Sequence, residues 1–174
     1  MLNDRGDAYR LLHHLEAPDR LVRHAQLVLQ AADELISEFD ILGVTFDHRT
    51  VELGAVLHDA GKVRHPEELS APGRLHEGAG EALLLAHGVQ PEVARICASH
   101  GVLHLAETSF EERTVSLDDK LWKGKRDDAL EMSVIDEIAA KLGNSRWGVF
   151  ERLDTAFEKI AAGGAERVRR SMAE

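Results

Sequence analysis

A chain of 174 residues, 44% hydrophobic and 30% charged, can bury a core in one domain and cannot hold two full-sized ones. Its formal net charge of −10 makes it a poor partner for bulk nucleic acid or an anionic membrane, while leaving room for a local basic pocket. The single cysteine, Cys97, excludes an internal disulfide framework and a four-cysteine zinc site.

The N-terminal MLNDRGDAYR is polar and charged, unlike a secretory signal, and the expected location is the cytoplasm. Abundant Ala, Leu and Glu with few β-branched runs predict an all-α, single-domain helical bundle, with its core at about 21–126 and C-terminal helices over 127–174. The first amphipathic run opens at Asp19 and carries Leu21, Ala25, Val28, Ala32 and Leu35 in steps of three and four, to an end near Phe39. Asp47 can cap the next helix, which continues through Val51, Leu53 and Leu57 to a stop at Gly61. The two-proline segment 63–73 reads as a loop. Helices then fit Leu75 to His87, and from Pro91 to a stop at Gly101. Shorter ones fit Leu117 to Lys123 and Leu130 to Leu142, and a long one follows Asn144. Gly163 and Gly164 should break that helix and leave a fraying charged tail.

Ten histidines are many for this length, and their placement carries the chemistry. His24, the pair His58-Asp59, His76 and His100 each fall on a different predicted helix or helix end, and the carboxylates Asp118 and Asp119 follow. Imidazole with carboxylate suits a divalent transition metal: Mn, Fe, Co, Ni or Zn. No single spacing is diagnostic, but one ligand type per successive helix lets distant residues converge inside a bundle.

The ordered set His24, His58-Asp59, His76, His100 and Asp119 resembles the HD domain superfamily of metal-dependent phosphohydrolases. The strings ELGAVLHDAGK, LHEGAGEALLL, ICASHG and LDDKLWKG carry the resemblance, over roughly Leu21 to Arg126. It implies a bundle around one or two metals. His24, His58, Asp59 and Asp119 would bind the first ion. Asp59 would bridge to a second, held by His76 and His100. The implied activity is hydrolysis of a small phosphorylated metabolite, a nucleotide or phosphomonoester, by metal-activated water. The same ligands also resemble HD-fold di-iron oxygenases that cleave C–C or C–P bonds, and a non-catalytic metal-containing binding module is a third reading. The stretch after the pair reads Ala60-Gly61-Lys62, without the glutamate that some single-metal HD nucleotidases use, and no GYP tripeptide follows.

The remaining candidates divide between site and surface. Lys62 and Lys123 are the expected phosphate contacts beside Asp59, while Lys120, Lys125 and Arg126 also fit a solvated face. Trp122 reads as core. His76 also reads as an ordinary first-turn residue, in which case the centre is mononuclear. His87 suits a helix C-terminus. His13, His14, His48 and His65 read as surface, and His104 as a surface or pocket-lining residue. Asp118 and Asp119 point about 100° apart on a helix, so only one reaches a metal. The resemblance selects Asp119, since the family's last ligand immediately precedes a lysine and an apolar residue, here Lys120 and Leu121, and Asp118 is expected to face outward.

Overall fold

The stripe Leu21, Ala25, Val28, Ala32 and Leu35 becomes the buried face of the longest helix in the computed structural model, which describes residues 1–101 and 105–172. That helix, α2 (Asp19–Leu42), follows α1 (Arg5–His14). It runs three residues past the expected end. Gly43 stops it in the left-handed conformation at φ 78°, returning Val44 N–H to the Phe39 carbonyl. α1 is an element the sequence reading lacked. It buries only Ala8 and Leu12, too sparse a pattern to stand out, and Asp4 caps it by accepting from Asp7 N–H.

Asp47 caps α3 (His48–Leu57), accepting from the Thr50 N–H. This helix ends at Leu57, not at Gly61. The chain turns through His58 and Asp59 into a 3₁₀ turn, Ala60–Val63, and a second one at Pro66–Leu69 lies inside the expected loop. Gly61 serves close approach instead of helix termination. A Cβ there would sit 1.9 Å from the His76 carbonyl oxygen and 2.6 Å from the Gly80 nitrogen. The backbone after the His-Asp pair therefore lies directly on α4 (Leu75–Ala86), which in turn packs beside α5 (Pro91–Ser99).

α6 (Phe110–Leu121) starts seven residues earlier than expected. Its Ser109/Glu112 capping box fixes that start: each side chain accepts from the other residue's backbone N–H. α7 (Asp128–Lys141) and α8 (Arg146–Ala162) follow as expected. The charged tail does not fray through 164–171. It forms α9 (Gly164–Ser171), with Arg167 buried and donating to the carbonyls of Leu121, Trp122 and Ile160. Paying for burial of a guanidinium with three carbonyl acceptors is what makes so polar a helix dock.

The described residues contain no strand, so the fold is all-α. One core joins Phe39, Leu53, Leu57, Leu117, Leu121, Leu153 and Phe157 from α2, α3, α6 and α8. No helix among the described residues is long and apolar enough to cross a membrane.

Candidate metal centre

Six separate elements deliver their polar side chains to one point. His24 projects from the second turn of α2. His58 and His100 are the C-cap residues of α3 and α5, Asp59 begins the first 3₁₀ turn, His76 lies in the first turn of α4, and Asp119 lies in the last turn of α6. Asp59 is central and its two oxygens divide the imidazoles. Oδ2 is 3.1 Å from His24 Nε2 and 3.7 Å from His58 Nε2. Oδ1 is 3.2 Å from His76 Nε2 and 3.7 Å from His100 Nε2. Asp119 Oδ1 stands 3.6 Å from His58 Nε2. His24, His58 and Asp119, and separately His58, Asp59 and His100, lie close enough to share one ion.

Several rings are held from behind. His58 Nδ1 donates to the Ala55 carbonyl at 3.0 Å, and His100 Nδ1 to the Cys97 carbonyl at 2.9 Å. Carbonyls only accept, so in the neutral rings Nδ1 carries the proton and Nε2 presents a lone pair. His76 Nδ1 faces Glu68 Oε2 at 2.5 Å, and Glu68 also accepts from the backbone N–H groups of Leu75 and His76. Sequence reasoning missed Glu68, because nothing in PEEL marks a carboxylate that folds back under a helix start seven residues away. Trp122 was read as core. It is buried, but its Nε1–H donates to Asp119 Oδ1 at 3.1 Å and its ring meets His24 edge-on at 4.7 Å.

The electrostatics ask for a cation. Burial opposes ionisation of Asp59, yet the charge of His58 and the adjacent His24 and His76 rings hold its carboxyl well below the usual range. Asp119 is held well below as well, with burial overruled by His58 and Lys123. Burial also works against a charged His58 and His76, but the carboxylates around them outweigh it and raise both. His24 and His100 are depressed, mainly by burial. His76 Nε2 is buried without a hydrogen bond. Lone pairs from four imidazoles and two carboxylates thus converge with too few protons between them, and this donor set fits a divalent cation.

The cluster floors a cavity of about 430 Å³. Lys62 and Lys123 both line it, pairing with Asp59 Oδ2 at 2.6 Å and Asp119 Oδ2 at 2.9 Å. Lys120 and Arg126 instead pair away from it with Asp127 and with Glu131 and Asp154. A larger groove of about 900 Å³ between α2 and α8, which includes Glu34, Ile41, Trp147 and Lys159, contains no histidine and none of the converging donors.

A family model described as the HD domain matches residues 13–142. The chain belongs to the HD domain family. That superfamily comprises metal-dependent phosphohydrolases, and HD domains bind divalent metals. Comparison with curated proteins and with solved structures returns no match.

The other histidines stay outside the cluster. His13, His14 and His48 are exposed, His65 pairs with Glu67, and His87 donates to the Leu83 carbonyl at the end of α4. His104 lies outside the described residues. One expectation is overturned. Asp118 does not face outward: it is fully buried, and neither carboxylate oxygen has a hydrogen-bond partner. Burial, reinforced by Asp119, drives its carboxyl well above the usual range. α2, α3, α7 and α8 all pack against α6, and the part of its surface that carries Asp118 is buried among the bundle helices.

Proposed function

We propose that this HD domain is a binuclear metal-dependent phosphohydrolase acting on a small phosphorylated metabolite, a nucleotide or phosphomonoester. The observation that carries it is the split of Asp59, one oxygen toward His24 and His58 and the other toward His76 and His100, in a cavity that Lys62 and Lys123 also line. Asp59 would bridge two positions, His24, His58 and Asp119 completing one, and His76 and His100 the other. Two divalent ions there would activate water and polarise the phosphoryl oxygens.

The protein's own residues do the rest. Glu68, Ala55 and Cys97 hold three imidazoles with Nε2 forward. Trp122 fixes Asp119. Lys62 and Lys123 offset charge on the phosphoryl oxygens. Cys97 is no nucleophile, because burial pushes its thiol well above the ordinary range and its Sγ–H is given to the Leu57 carbonyl.

The test is an anaerobic phosphatase screen of the full chain with Mn, Fe, Co, Ni and Zn, paired with elemental analysis. Phosphate release that chelator abolishes and metal restores supports the proposal. Oxygen consumption with retained iron and no phosphate release would replace it with the di-iron oxygenase reading. Activity surviving exhaustive chelation, with no metal detected, would sink both.

A further inference from the structure

The cavity lining has two chemically different parts. The floor is the histidine and carboxylate cluster with Lys62 and Lys123, and Arg20 stands at its edge, donating to Ser70 Oγ. The rest of the lining includes apolar Leu69 from the second 3₁₀ turn, with Val168 and Met172 from α9 and the residue that follows it; Ser171 of α9 also lines the cavity, with its hydroxyl donating to the Val168 carbonyl. Leu69 lies within the matched residues 13–142, while α9 lies outside them.

The α9 part of the lining is built rather than incidental. Arg167 spends its donors on Leu121 O, Trp122 O and Ile160 O. Two of those carbonyls belong to the end of α6, immediately after Asp119. Gly164 packs on Gly124 so closely that a Cβ would sit 2.1 Å from the Gly124 nitrogen. Both contacts set α9 at a fixed height above the donors. Met172 is nonetheless 60% exposed, an apolar side chain at the mouth of a polar site.

We infer that α9 is a specificity element that selects a phosphomonoester with a compact apolar body, in preference to a nucleotide. The inference rests on the phosphohydrolase reading and narrows its substrate. A nucleobase needs an open aromatic face or hydrogen-bonding edges. Among the described residues lining the cavity, Trp122 is the one aromatic ring besides the imidazoles, and it is only 6% exposed, packed T-shaped with His24 and donating its Nε1–H to Asp119, so it presents no open face. Leu69, Val168 and Met172 offer neither. They offer area to cover an alkyl or aryl group, in a volume suited to a small ligand.

The experiment uses the metal-loaded full chain and three probes that need no turnover: inorganic phosphate, methylphosphonate and phenylphosphonate, titrated by calorimetry. Phenylphosphonate should bind about tenfold tighter than methylphosphonate. In Met172→Ser, an exposed position that folding tolerates, and in Val168→Ser, that preference should collapse while inorganic phosphate binds as in the parent. Arg167→Met should blunt the preference without lowering metal content. Equal binding of both phosphonates to the parent, or an unchanged preference in the Met172 and Val168 variants, would overturn the inference and leave the hydrolase reading standing. Failure of all three probes to bind metal-loaded protein would instead overturn the phosphohydrolase reading, and the inference with it.

Discussion

Glu68 shows how much of this centre depends on a residue that ligates nothing. It orients His76 through Nδ1, and its own carboxyl is lowered to about 2, since the hydrogen bonds from His76 and Leu75 outweigh the effect of burial. Glu68→Gln keeps the shape and loses the charge, so metal affinity on the His76 side should fall roughly 10- to 100-fold while the His24 side keeps its ion; elemental analysis after graded chelation reads the difference. Asp118 gives a prediction of opposite sign. An acid whose folded pKa is raised contributes stability that is present at low pH and lost as pH rises through that pKa. Asp118→Asn should therefore melt above the parent, by a margin that grows as pH rises above the ordinary carboxylate range. A margin independent of pH in thermal scans would show that the carboxyl is not protonated in the fold. The sequence made His58, Asp59, His76, His100 and Asp119 legible because each sits in a local string, and His24 because it precedes them in the ordered set. Glu68 and Trp122 were not legible as site residues, because their roles exist only across a fold-back and a helix end.

The helix ends are where the elements do their chemical work. Amphipathic periodicity located α2 and α8, and capping chemistry located the start of α3. The start of α6 was missed although Ser109 and Glu112 spell a capping box, because Phe110 and Val115 alone form too thin an apolar stripe. α9 was missed for a related reason: its docking rests on Arg167 hydrogen bonds, which leave no mark in hydrophobic spacing. Gly61 was seen and misread, since glycine at a helix stop and glycine at a close contact look alike in sequence. Gly61→Ala tests the second role. The added methyl meets the α4 backbone, which cannot swing aside, so the turn carrying Asp59 must move away from His76. Stability should fall by roughly 1–3 kcal/mol, and the two-ion stoichiometry should fall with it; urea unfolding and metal analysis on the same sample check both.

Across the whole molecule, a cation at the centre would tie α2, α3, α4, α5 and α6 together. A ligand that binds only the folded chain adds about 2.7 kcal/mol at one hundred times its Kd, which for a chain of this size is a rise in Tm of roughly 5–10 °C. Scanning calorimetry with and without chelator should show that rise. It should shrink as pH falls through the histidine range, where protons compete for the imidazoles, beginning above the ordinary value of about 6.5 with His58 and His76, whose pKa values are raised. Loss of the rise at acid pH with retention of the fold separates metal release from acid unfolding. A rise that persists at pH 4 would mean that something other than histidine holds the ion.

His58 and His100 cap α3 and α5, and Asp119 closes α6, so three helices bring their carbonyl ends to the same floor. Such ends carry partial negative charge. While no cation occupies the floor, Lys62 and Lys123 are each bonded to one of its carboxylates, and a cation taking those carboxylates would free them for a phosphoryl group. Without a cation, phosphate approaching that floor is repelled by backbone and side chain alike. On the phosphohydrolase reading, the direction of the helices sets the order of arrival: metal first, phosphate second. Radiolabelled phosphate should be retained on a filter by metal-loaded protein and pass through with chelated protein, so the unloaded chain escapes occupation by free phosphate.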